Sequence, residues 1–60
     1  MWIKTGEGDY YNLERCREIY IDSEGNTHFC LDGCNVIAEG DIRDAVIKNI
    51  ISGTKIMEVE

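Results

Sequence analysis

A chain of sixty residues cannot bury enough apolar surface for a large self-sufficient core, and that limit shapes everything else it can become. A domain of this size removes only about 60% of its unfolded surface from water, so its stability is marginal. Small domains usually compensate with a metal, disulfides or a partner chain. What staples this chain is therefore close to the question of what it does. Its 43% hydrophobic content is ordinary for a folded protein and too high for intrinsic disorder. A single domain over residues 1–60 is the expectation.

Several classes are set aside early. No apolar run approaches the roughly 18 residues needed to span a bilayer. The opening Met1-Trp2-Ile3-Lys4-Thr5-Gly6-Glu7 lacks the long apolar stretch of a secretory signal, so an intracellular, cytoplasmic protein with its native start is expected. Twelve acidic residues against six basic ones disfavour binding to nucleic-acid backbones, which relies on Lys and Arg neutralising phosphates. The net charge of −6 favours solubility and basic partners. Three cysteines in a cytosolic chain read as reduced thiols, and an odd count leaves one unpaired in any case.

Patterning along the chain predicts strands, then a helix, then one more strand. Trp2 to Thr5 reads as a first strand and Gly6-Glu7-Gly8-Asp9 as a turn. Tyr10 to Leu13 is a second short extended piece, with a helical turn or a bend over Asn12 to Arg15. Arg17 to Asp22 is the clearest strand: Ile19 and Ile21 share one face, Glu18, Tyr20 and Asp22 the other. Ser23-Glu24-Gly25-Asn26 connects it to a partner strand, Thr27 to Leu31, with Phe29 and Leu31 opposite His28 and Cys30. Asp32-Gly33 signals a hairpin in which both residues tolerate positive φ, and Cys34 to Glu39 follows as a strand.

After Gly40, a helix is expected near residues 41–52. Asp41 is its N-cap, and Asp44 stands in for the Glu or Gln of a capping box. Ile42, Ala45, Val46 and Ile50 form its apolar stripe, widened by Ile47 and Ile51. Gly53 ends it in a left-handed conformation. Lys55 to Glu60 reads as a last strand. The predicted fold is α+β: one small antiparallel sheet of about four to five strands, one helix packed on one face and a short C-terminal strand.

Few residues suggest chemistry. Cys16, His28, Cys30 and Cys34 make a complete tetrahedral zinc set by residue type. Their spacing lacks the Cys-x-x-Cys knuckle that usually announces such a site, so ordinary core or surface cysteines are expected and no cofactor is called for. A catalytic Cys-His pair needs an orienting third group and a pocket, and sixty residues leave little interior for one. Gly6-Glu7-Gly8 resembles a phosphate loop but lacks the following helix and lysine. Trp2, Tyr11, Arg17 and Tyr20 are of the residue types that dominate interfaces. Ile47 and Ile51 exceed what one packed helix face requires, which points to self-association.

The opening Met1-Trp2-Ile3-Lys4-Thr5, then Asn12-Leu13 and Ile19-Tyr20-Ile21, resembles a set of short uncharacterised bacterial and phage proteins. Those chains begin with a Trp-containing strand, pass an Asn-Leu step and end in a helix. The resemblance covers about the first third of the chain and implies a bacterial or phage origin. It implies no functional residues, and the cysteines and the strand after the helix depart from it.

The expected function is that of a small non-enzymatic protein-interaction module, homo-oligomeric, binding an unidentified host macromolecule. Trp2, Tyr11, Arg17, Tyr20, Ile47 and Ile51 are its candidate contacts. The alternatives are a zinc-stapled structural module and an oligomer that sequesters a small molecule or nucleotide signal.

Overall fold

The computed structural model describes all 60 residues, arranged as two three-stranded sheets, one helix and one core. In chain order come β1 (Trp2–Lys4), β2 (Tyr10–Asn12), a 3₁₀ turn (Leu13–Arg15), β3 (Glu18–Ile21), β4 (Thr27–Leu31), β5 (Cys34–Ala38), α1 (Arg43–Ile51) and β6 (Ile56–Glu58). The class is α+β, as the patterning predicts. The single sheet of four to five strands is not found: the strands divide into β2-β1-β6 and β3-β4-β5.

The division has a local origin. After β2, the side chain of Asn12 accepts a hydrogen bond from the Glu14 amide, and the chain coils through Leu13–Arg15 instead of continuing into β3. The C-terminal strand then returns beside β1 and runs parallel to it, Ile3 opposite Met57. That parallel ladder is possible because the whole intervening chain, from β2 through α1, forms the long crossover that parallel strands need. It is continued by bonds from Trp2 N to Lys55 O and from Val59 N to Lys4 O, both 2.8 Å. The first sheet is therefore mixed, while β3-β4-β5 is an antiparallel meander.

Alternation then sets burial. Thr27, Phe29 and Leu31 of β4 and Val36 and Ala38 of β5 face inward and are buried. Ile3, Val59 and Val46 of α1 complete the core, with Met1, Tyr11, Leu13, Cys16, Ile19, Ile42 and Met57 packed around it. At the β4–β5 turn only Gly33 takes a positive φ, 84°. Asp32, which could tolerate one, does not take it.

The helix differs from its expected form at both its start and its buried face. It begins at Arg43, one residue after Ile42, and the capping box expected of Asp41 and Asp44 does not form. Asp41 instead accepts from the Arg43 amide at 3.2 Å and clamps the Arg43 guanidinium at 2.7 and 3.0 Å. Helix starts leave amides without intrahelical partners. The Ile42 amide is satisfied from outside the helix, by Thr27 Oγ1 at 2.9 Å. The far end follows expectation: Gly53 is left-handed, φ 74°, with its amide on Ile50 O and that of Thr54 on Asn49 O. This pair of bonds is a Schellman motif. No helix is long and apolar enough to cross a membrane.

Candidate functional site

Along the helix, only Val46 is fully buried, with Ile42, Ala45 and Asn49 half-buried beside it. Ile50, expected on the inward stripe, lies outside. Asn49 takes the inward position and donates its amide to Ala45 O at 2.8 Å, which satisfies it within the helix. The core beneath α1 is thin, so one row of side chains covers it. Three isoleucines remain in solvent: Ile51 is 80% exposed, and Ile47 and Ile50 about half.

These three share neighbouring rows of one helix face, being spaced at i, i+3 and i+4. Ile50 also lines a cleft of about 790 Å³ between the end of the helix and the start of the chain. Met1, Trp2, Leu13 and Ile56 line the same cleft, with Glu14 and Lys55 at its polar positions. Trp2 and Ile56 stand opposite each other on β1 and β6, on the sheet face turned from the core, and each is about half exposed. The result is one continuous apolar surface built from α1, β1 and β6. Single exposed apolar residues are normal, but five large ones on adjoining elements, joined across the cleft by Ile50, are not.

The charges around this surface are unlike those of the rest. Around it Arg43, Lys48 and Lys55 are matched by Asp41, Asp44 and Glu14. The remainder carries the other three basic residues and nine acidic ones. Asp44 and Lys48 flank Ile47, so both signs lie at the rim.

The other expected contact residues are scattered. Arg17 is exposed and reaches Asp32 at 3.6 Å. Tyr20 stacks on His28, ring centroids 4.6 Å apart, on the outer face of β3-β4. It remains partly in solvent. Tyr11 is half-buried: it pairs with Ile3 across β1–β2 and packs on the core.

The four candidate zinc ligands are not brought together. No group of three or more His, Cys, Asp or Glu side chains is placed to hold a metal ion. The register explains this. Cys34 stands opposite Leu31, hence on the core-facing side of the sheet, whereas His28 and Cys30 occupy the outer side. Cys16 packs against the core and its thiol donates to Glu18 O at 3.2 Å. His28 is bonded through Nε2 to Asp22 Oδ2 at 2.6 Å, and its Nδ1 is buried without a partner.

Asp22 is a second centre that patterning along the chain does not reveal. Its Oδ1 accepts from the amides of Glu24 and Asn26, closing the β3–β4 turn. The Asn26 amide, then the His28 ring, hold the Asp22 carboxyl below its ordinary value. Next to it, the Asn26 side chain accepts from the Gly40 amide at 2.9 Å. Thr27 Oγ1 donates to Gly40 O at 2.7 Å. The turn is thereby tied to the segment that starts the helix. The one signal in the sequence is the run of polar residues, Asp22 to Thr27, between two strands. It does not say what the side chains of Asn26 and Thr27 bind, because their partners lie 13 to 15 positions away.

No protein family, curated protein or solved structure matches this chain.

Proposed function

We infer that the chain is a non-enzymatic protein-interaction module that pairs with a second copy of itself through the α1–β1–β6 surface. The observation that carries this reading is the row Ile47, Ile50 and Ile51, left in solvent and continuous with Trp2 and Ile56. At their exposures these side chains present on the order of 500 Å² of apolar surface, as much as the largest patch of a typical monomer. Two copies would bury about 1,000 Å² there, which is the lower limit for a biological interface. A two-fold contact must be self-complementary, and this rim carries both signs. It is also the one region where two copies of an acidic chain meet without strong repulsion.

A non-enzymatic role is supported by the state of the only histidine. Its Nε2 is bonded to Asp22, its ring is covered by Tyr20 and its other nitrogen is buried, so neither ring nitrogen is presented to a substrate. The acidic remainder of the surface suits a basic macromolecular partner.

Analytical ultracentrifugation and native mass spectrometry test the pairing. The wild type should be dimeric at tens of micromolar. The double variant Ile47→Lys, Ile51→Lys should be monomeric with an unchanged circular dichroism spectrum, because neither side chain belongs to the core. A monomeric wild type, or a variant that still dimerises, refutes the reading. The volume of the cleft favours a second reading, sequestration of a small molecule. A rise in melting temperature with one of a panel of nucleotides, in a wild type that stays monomeric, would support it.

A further inference from the structure

We propose that the free edge of β5, with the groove beside it, takes an extended, basic segment of another protein as an added strand. β5 is the last strand of β3-β4-β5 and pairs only with β4. In an antiparallel pair, the backbone groups of successive residues point alternately toward and away from the partner strand. Glu39, just past β5, sends its amide outward to Glu60 O at 2.6 Å. By alternation the amides and carbonyls of Ile37 and Asn35 also point outward, while those of Val36 and Ala38 face β4. Beyond Glu39, no backbone bond fills that row.

Proteins usually blunt such edges with charge, proline or brevity. The other edges here follow that rule: β2 and β6 are three residues long, and β3 begins with Glu18 and is flanked by Arg17 and Asp22. β5 has five residues, no charge and no proline: Cys34-Asn35-Val36-Ile37-Ala38. Its open side forms a groove of about 380 Å³ whose opposite wall is the β1–β2 turn. Val36 and Tyr11, both packed on the core, reach the groove from below. Ile37, 56% exposed, offers an apolar side chain to a neighbouring strand.

Charge selects the occupant. Glu7, Asp9 and Glu60 line the groove and no Lys or Arg does. A second β5 from another copy would set these carboxylates against their equivalents, whereas a strand carrying Lys or Arg would neutralise them. Strand addition draws affinity from the main chain and specificity from alternate side chains. The groove shares no residue with the α1 cleft, so this proposal does not depend on the self-pairing above.

The probe is a fluorescein-labelled hexapeptide of alternating Lys and Val, titrated by anisotropy. Three further peptides accompany it: alternating Glu and Val, and the Lys-Val peptide N-methylated on its odd or on its even amides. Only one set of amides in an added strand faces β5. One methylated form should therefore lose roughly tenfold or more in affinity, the equivalent of one or two hydrogen bonds, and the other should keep it. The Glu-Val peptide should not bind. Ile37→Pro removes an outward amide, a position where an edge strand tolerates proline. It should keep the melting temperature and lose binding by a similar factor. Ile47→Lys, Ile51→Lys should bind the peptide as the wild type does.

Equal loss or no loss from both methylations would overturn the proposal. So would undiminished binding to folded Ile37→Pro, or no binding of Lys-Val below about 1 mM. If Ile37→Pro instead abolishes self-association, the edge belongs to a second copy and the proposal fails. Should that variant not fold, the methylated pair decides alone.

Discussion

Thr27 shows how much one residue can matter in a core this small. Its side chain is fully buried, and its hydroxyl both donates to Gly40 O and accepts from the Ile42 amide. Both of its roles are thus satisfied, and two backbone groups at the start of α1 are satisfied with it. Valine has nearly the same shape but would leave the Gly40 carbonyl and Ile42 amide without partners. An unmet buried group costs about 1–3 kcal/mol, and these two are only part-buried, so Thr27→Val should lower stability by roughly 1–3 kcal/mol. That is a large share of what about 0.05–0.15 kcal/mol per residue allows a chain of this length. Thr27→Ser keeps the hydroxyl and should cost less. Urea unfolding of the two variants checks the order. A Thr27→Val midpoint equal to that of Thr27→Ser would show that the clamp contributes nothing.

Among the elements, the β3–β4 hairpin owes its closure to a carboxylate, and this gives it a pH signature. Asp22 accepts from the Asn26 and Glu24 amides through one oxygen and from His28 through the other. Its folded value lies below the ordinary carboxylate value, chiefly because of the Asn26 amide. Asp41, at the helix start, is lowered in the same direction by the side chain of Arg43. A carboxyl depressed by folding contributes stability that is present above its unfolded value, near pH 4, and is lost as pH falls through its folded value. The chain should therefore lose stability as pH falls below about 4. Asp22→Asn keeps an acceptor for the turn but no longer titrates, so its urea midpoint should fall less over the same range. A variant curve parallel to that of the wild type would remove Asp22 from the account.

For the whole molecule, the distribution of charge matters more than its sum. Two chains of net charge −6 repel one another at a distance, although their α1 surfaces are the least acidic parts. Screening at a Debye length of about 10 Å in 0.1 M salt relieves that repulsion. Self-pairing should therefore tighten between about 20 and 300 mM salt, while binding of the Lys-Val peptide to the β5 edge weakens over the same range. Sedimentation and anisotropy at both salt concentrations read the two trends. Trends of the same sign would mean that the two surfaces are not distinct in the way their charges imply.

Strands, turns and helix end were legible in the sequence because they depend on neighbours a few positions apart. Alternation over Glu18–Ile21 and Thr27–Leu31 decides which side chains can be buried, and Gly53 alone among its neighbours accepts the left-handed turn without strain. The candidate surface was half legible: Ile47 and Ile51 stood out as surplus apolar residues, but Ile50 and Ile56 did not. Only the tertiary structure decided that β6 pairs parallel with β1, that the strands form two sheets, and that Asn49 rather than Ile50 faces inward. It also separated Cys34 from His28 and Cys30 by the register of one hairpin. These outcomes turn on which distant segments bury each other, and on bonds such as Thr27 to Gly40 whose partners no local pattern specifies. A chain with so thin a core has little apolar surface with which to enforce the simpler single sheet.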